Sequence, residues 1–187
     1  MAEVEAAEDA GVALRWSPYE LRPAPDALPD PRGRYIRDHW RDHVYPLAVQ
    51  RGVEIHVPTA QPRSTLTLAA AGFAYEQGAG RAFREAVHAA FFVEGHDVGD
   101  ERVLRMLARR CGLDGDALVA AAWDPARLTR LRDVRAEAQA AGVYGVPSLT
   151  VGGRLAFFGA PPPGVVGDAL RRHRDDPDAL RDALGTL

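Results

Sequence analysis

The chain has 187 residues, of which 47% are hydrophobic, so it is long and apolar enough for one sizeable domain with a real core. Its formal net charge of −3 gives no global attraction for nucleic acid or an anionic membrane surface. No stretch is long and apolar enough to span a bilayer, and the acidic, alanine-rich start does not resemble a signal peptide. We therefore expect a cytoplasmic protein.

The first quarter of the chain predicts a helix, a strand and a second helix. Residues 2–10 favour a short helix, and Val12–Tyr19 favours a strand that prolines end. A proline-rich connection leads to a helix from about Arg34 to Gln50. Apolar residues recur on one face of that helix at Ile36, Trp40, Val44 and Leu47.

From Ser64 to Gly142 the pattern is helical throughout. Ser64 is a plausible N-cap for the first helix of this block, and Asp124-Pro125 is typical of the start of the last one. Between them runs an apolar stripe at helical spacing, made of Leu104, Leu107, Ala108 and Cys111. We expect these helices to form an all-helical lobe.

After Gly142 the period changes from helix to strand. Ser148–Val151 and Leu155–Phe158 flank Gly152-Gly153, which predicts a two-residue hairpin turn. A last helix follows Pro161–Pro163, with a tail helix from Asp176. Two pairs of adjacent aromatic residues are expected in the core, Phe91-Phe92 and Phe157-Phe158.

Cys111 is the single cysteine, so the 187 residues cannot cycle between a dithiol and a disulfide on their own. Because Cys111 continues the apolar stripe, and free cysteine behaves as a small hydrophobe, we interpret it as structural. His39 and His43 have the i, i+4 spacing of two metal ligands, but no third ligand has persuasive spacing, so no metal site is predicted. Ser148 lacks the surroundings of a nucleophilic serine and is expected to begin a strand.

The segment Gly142–Gly153, which reads GVYGVPSLTVGG, resembles the cis-proline loop and following hairpin of thioredoxin-like proteins. Residues 16–23 resemble the second strand and its exit in DsbA-family proteins of the FrnE type, and residues 91–98 and 111–114 resemble their inserted helical lobe. Hydroxychromene-carboxylate isomerases and kappa-class glutathione transferases look similar over the same stretch. The resemblance implies an α/β, thioredoxin-like fold forming a single domain over residues 1–187, with residues 64–142 as the inserted all-helical lobe.

The resemblance also implies a substrate-binding loop. In the family the peptide bond before the proline of this loop is cis, and the residue before that proline pairs with an extended substrate. Carried over to this sequence, the implied substrate-binding residues are Val146, Pro147 and Ser148, and the partner is an extended peptide or a thiol substrate. No catalytic residue, metal or cofactor is implied for this chain, except glutathione in the isomerase and transferase branch. No nucleic acid or membrane partner is expected, and a homodimer is left open.

One part of the family pattern is missing. The family begins with a strand followed by C-x-x-C, or by a serine in the glutathione-using branch, and this chain lacks that first strand and the motif. We expect that the natural start lies upstream of Met1; the alternative is a sheet that closes differently.

The expected parent function is thiol–disulfide oxidoreduction, as protein disulfide oxidation or isomerisation, with the redox cysteine pair absent from this chain. Three alternatives stay open. They are a glutathione-dependent isomerase or transferase, a non-catalytic peptide- or thiol-binding module, and a fragment with no present function.

Overall fold

A computed structural model describes residues 14–58, 60–151, 154–159, 161 and 164–175. Three sequence-based expectations lie outside the described residues. They are the helix over residues 2–10, the turn at Gly152-Gly153 and the tail helix from Asp176.

The described part of the chain is mostly helical, with one small antiparallel sheet. Its helices are, in chain order, α1 Arg34–His39, α2 Tyr45–Gln50, α3 Thr65–Glu76, α4 Gly80–Phe92, α5 Glu101–Arg110, α6 Gly115–Ala122, α7 Pro125–Ala140 and α8 Val165–Asp175. The sheet consists of β1, Ser148–Val151, and β2, Arg154–Phe158, which form the expected hairpin. In this part of the chain no helix is long and apolar enough to cross a membrane.

The chain divides into two compact units, each with its own contacts. The first, which we call the hairpin unit, contains Met1–Leu21 and Val134–Leu187; the second, the helical unit, contains Arg22–Asp133. The division falls inside α7. The expected single domain, with its lobe over residues 64–142, stays a prediction.

The helix expected from Arg34 to Gln50 is present but changes its pitch in the middle. The turn Trp40–Val44 between α1 and α2 is π-helical. Pro46 stands two residues after this turn; it has no backbone N–H, and its ring would collide with a carbonyl one α-turn earlier. The wider π-helical turn relieves this collision. It begins at Trp40, which is buried and packs against Phe92 with ring centroids 6.1 Å apart.

The core of the helical unit lies between α3, α4, α5 and α6. Three residues of the predicted stripe, Leu104, Leu107 and Ala108, are completely buried there, while Cys111 is half-buried and packs against the cluster. Phe83 is completely buried as well. Small residues of α3 and α6 let these helices approach closely, and the buried ones are Ala69, Ala70, Ala74 and Ala122.

Aspartates stand at the starts of α5, α6 and α7, where their carboxylates accept from backbone N–H groups that the helix itself leaves unpaired. The Asp100 carboxylate accepts from Arg102 N–H at 2.7 Å, and the Asp114 carboxylate accepts from the N–H groups at the start of α6. The sequence pattern did not predict α6 as a separate helix. Asp124 accepts from Ala126 N–H at 2.9 Å, as its position before a proline predicts. Ser64 stands at the N-cap position of α3, but its side chain makes no capping bond.

Residues 14–19, the described part of the strand expected over Val12–Tyr19, show no strand pairing in the described structure. A strand exists only through hydrogen bonds to a neighbouring strand, and no described segment supplies one. Side-chain contacts hold this segment instead: Arg135 Nε donates to the Glu20 carbonyl at 2.9 Å, and its guanidinium lies 5.7 Å from the Tyr19 ring centre.

Candidate functional site

The segment 142–148 connects the end of α7 to β1. Gly142 has φ of +84°, a left-handed conformation that glycine adopts at the ends of helices. Val143 N–H then donates to the Ala138 carbonyl at 2.9 Å, and the Val143 side chain is buried. These contacts fix the direction in which the chain leaves the helix, so the following loop projects from a defined point.

The Val146–Pro147 peptide bond in this loop is cis. Two hydrogen bonds hold the loop. Ser148 Oγ donates to the Gly145 carbonyl at 2.7 Å within the loop, and Gly159 N–H, just after β2, donates to the Pro147 carbonyl at 2.9 Å. The Ser148 hydroxyl proton is therefore used within the loop. The three residues expected at the site, Val146, Pro147 and Ser148, lie together at the start of β1.

The pairing of the hairpin decides which backbone groups face outward. Ser148 lies opposite Phe158, and the bond from Gly159 N–H to the Pro147 carbonyl flanks this pair, so the pair is a non-hydrogen-bonded one. In such a pair the backbone N–H and C=O of both residues point away from the partner strand. Ser148 therefore directs a donor and an acceptor to the other edge of β1, and no strand of the described structure pairs with that edge.

Exposed apolar side chains surround the same loop. Tyr144, Val146 and Phe158 are 71%, 50% and 68% exposed. The expectation that Phe158 belongs to the core is wrong, because adjacent strand residues point to opposite faces and only its neighbour Phe157 is half-buried. The Phe158 ring instead lies over Gly145: a Cβ at that position would come within 2.6 Å of its Cε2 atom.

Cys111 belongs to the helical unit and not to the hairpin unit. Burial raises the pKa of its thiol above the usual value. Its neighbour Arg110 is engaged by Glu94 at 2.8 Å, so that charge is already paired. A reactive cysteine needs the thiolate form and exposure, whereas Cys111 is half-buried and its pKa is raised.

The two histidines with metal-ligand spacing form a stack. The His39 and His43 rings lie 4.9 Å apart, and Tyr35 stacks on His39 at 5.9 Å. Within the described residues, no group of three or more histidine, cysteine or acidic side chains comes together in a way that could hold a metal ion.

Sequence reasoning did not single out Tyr144 or Phe158 as site residues. The signal available for both was indirect. Tyr144 precedes the Gly-Val-Pro directly, and Phe158 stands where strand alternation places it on the same face as Ser148. Neither observation alone predicts exposure, because the sequence does not say which face of a hairpin is covered.

Comparison with known proteins places this geometry in a family. The profile of the DSBA-like thioredoxin domain matches residues 1–171. An uncharacterized protein of Bacillus subtilis (strain 168), YwbO, is 34% identical over 160 residues, which are 79% of this chain and 76% of that protein. The solved structure of a 2-hydroxychromene-2-carboxylate isomerase superimposes with a TM-score of 0.70 at 18% identity, covering 98% of this chain and 89% of the isomerase. The chain thus has a thioredoxin-like fold of the type expected, and it belongs to the DSBA-like thioredoxin domain family.

Proposed function

We propose that this chain supplies the substrate-binding part of a DsbA-family thiol–disulfide oxidoreductase, with Val146, Pro147 and Ser148 holding an extended peptide or thiol substrate. The observation that carries the proposal is the outward-facing backbone of Ser148, on a strand edge that no described strand covers. Family membership supports the same assignment.

Binding at this edge would follow the rules of strand addition. An extended peptide aligned along β1 would donate to the Ser148 carbonyl and accept from the Ser148 N–H, and the exposed Val146 would contact its side chains. Hydrogen bonds made through the backbone tolerate many sequences. This is the property that an enzyme acting on many protein disulfides needs.

The redox step itself would not come from this chain alone. Reduction of a protein disulfide begins with a thiolate that attacks one sulfur, forms a mixed disulfide and releases the other sulfur as a thiolate. A second thiol must then break the mixed disulfide, and Cys111 is the single cysteine of the 187 residues. Its raised pKa lowers the thiolate fraction at neutral pH still further. A cytoplasmic location is part of the proposal, since a reducing compartment suits a chain with one free thiol.

A glutathione-dependent isomerase or transferase is the second candidate. The likeness of the fold to a 2-hydroxychromene-2-carboxylate isomerase favours it. Residues 142–151, however, contain no acidic or basic side chain. Glutathione carries two carboxylates and an ammonium group, and these would find no ionic partner in this segment.

Backbone pairing can be tested with a terminally blocked pentapeptide in which threonine alternates with leucine. We expect its titration to shift the amide NMR signals of Val146 and Ser148. A version of the peptide N-methylated at its amides should not bind, because it cannot donate to the strand edge. Equal binding of both peptides, or shifts confined to other residues, would refute the proposal.

The redox part of the proposal needs a separate assay. In an insulin-turbidity assay the 187-residue chain should give no rate above that of the buffer thiol. Turnover that Cys111→Ser abolishes would show that the chemistry resides at Cys111 and not in a partner thiol.

A further inference from the structure

We propose that His39 and His43 form a two-histidine binding site for a divalent transition-metal ion on the exposed surface of the helical unit. His39 is the last residue of α1, and His43 lies within the π-helical turn Trp40–Val44. Both histidines are exposed, and neither belongs to the loop before β1. The site is therefore independent of the proposed function, and either proposal can fail without the other.

The π-helical turn brings the two imidazole rings together. In an α-helix, residues four apart differ in direction by about 40° around the helix axis. A π-helical turn contains more residues than an α-helical turn, so it reduces this difference. The His39 and His43 rings accordingly stack, with their centroids 4.9 Å apart and their planes 21° apart.

This separation suits the coordination of one ion by both rings. Histidine nitrogens bind Zn²⁺ at about 2.0–2.1 Å, so two nitrogens on one tetrahedral ion are about 3.4 Å apart. A tilt of the exposed rings toward each other brings their nitrogens to this distance from the observed centroid separation. Tyr35, four residues before His39, stacks on it as well, with centroids 5.9 Å apart and planes 5° apart. This contact limits the freedom that the His39 ring would lose when an ion binds.

The surroundings of the pair determine which kind of ion it can hold. Arg41 donates to the Asp38 carboxylate at 3.0 Å and to the Asp42 carboxylate at 2.6 Å, so both neighbouring carboxylates are already engaged. No third histidine, cysteine or acidic side chain of the described residues completes a metal-binding group with the pair, and water would fill the remaining coordination positions. Neutral imidazole suits Zn²⁺, Cu²⁺ and Ni²⁺, whereas Mg²⁺ and Ca²⁺ require oxygen ligands. The site should therefore bind transition metals and not Mg²⁺ or Ca²⁺.

A bound ion would stabilise the helix around its π-helical turn. It would join the last residue of α1 to the turn that leads into α2. An ion held by both rings binds the folded chain more tightly than the unfolded chain, in which the two histidines are not aligned. The stability of the helical unit should therefore rise with the concentration of the metal.

Isothermal titration of the 187-residue chain with Ni²⁺ tests the site, because this ion does not oxidise the Cys111 thiol. We expect saturable binding with affinities in the order Ni²⁺ > Co²⁺ > Mn²⁺, and no binding of Mg²⁺. His39→Asn and His43→Asn should each weaken the binding of Ni²⁺ about 100-fold, because the remaining histidine then holds the ion alone. His56→Asn is the matched control: His56 is exposed in the same unit, lies 3.2 Å from Glu54, and its replacement should leave the affinity unchanged.

Urea unfolding provides a second readout. Ni²⁺ should raise the urea midpoint of the parent chain and of His56→Asn, but not that of His39→Asn or His43→Asn. Circular dichroism spectra establish that the three variants are folded. Equal Ni²⁺ affinity of the parent chain and a folded His39→Asn or His43→Asn variant would overturn the proposal. A urea midpoint of the parent chain that Ni²⁺ leaves unchanged would overturn it too, because the unfolded chain would then bind the ion equally well.

Discussion

Gly145→Ala perturbs the candidate site with a single methyl group. The new Cβ would lie 2.6 Å from Cε2 and 3.0 Å from Cζ of Phe158, whereas ordinary contact begins at 3.4 Å. The ring must therefore move by about 0.8 Å or more. Because the atoms in conflict are at the far end of a side chain that is 68% exposed, the ring can swing outward. We expect the free energy of unfolding to change by less than about 1 kcal/mol.

The functional effect should be larger than the effect on stability. A displaced Phe158 ring no longer continues the face of Ser148, so Gly145→Ala should weaken the binding of the blocked threonine–leucine pentapeptide by several-fold. Isothermal titration with this peptide measures the affinity, and urea unfolding measures the stability. Gly72→Ala is the matched control. Gly72 lies in helix α3, and a Cβ added there would lie 3.4 Å from an Arg127 side-chain nitrogen, which is ordinary contact. The change should stabilise the helix by up to about 1 kcal/mol and should not alter binding.

Two results would refute this reasoning. Loss of several kcal/mol of stability would mean that the Phe158 ring cannot move and is part of the packed structure. An unchanged affinity for the pentapeptide, together with a shifted Phe158 ring signal in the NMR spectrum, would mean that the position of the ring is irrelevant to the ligand.

Three further predictions concern the helical unit. Cys111 should react slowly with a thiol reagent in the native state and rapidly in urea. Because its pKa is raised, its native rate should go on rising with pH beyond the ordinary pKa of a thiol; fast native labelling at neutral pH would contradict its packing against the core. Leu107→Ala should cost about 2–5 kcal/mol in urea unfolding, since Leu107 is completely buried, whereas Val49→Ala, at a side chain 81% exposed, should stay within about 0.5 kcal/mol. Arg127 holds the pKa of Glu76 below its usual value by hydrogen bonding to the carboxylate, so the stability difference between the parent chain and Glu76→Gln should be full at neutral pH. That difference should vanish as the pH falls through the lowered pKa, and a difference that persists in acid would exclude the ion pair as its cause.

Much of the helical unit could be predicted from the sequence because its determinants are local. Asp124 followed by Pro125 favours a helix start through neighbouring residues only, and the burial of Leu104, Leu107 and Ala108 follows from their helical spacing. The π-helical turn before Pro46 was not predicted. The sequence shows that the proline must disturb the helix, but whether the helix ends or widens depends on whether packing, here around Trp40, holds both halves in line.

The loop before β1 likewise has some features that the sequence predicts and others that only the tertiary structure determines. The sequence predicted the helix end at Gly142, the Gly-Val-Pro loop and the two short strands, because neighbouring residues determine turns and strand alternation. The exposure of Phe158 was not, because alternation states only that Phe157 and Phe158 face opposite sides, and the fold determines which side is covered. The outward-facing backbone of Ser148 likewise depends on its pairing opposite Phe158, since a shift of one residue would turn that donor and acceptor toward β2.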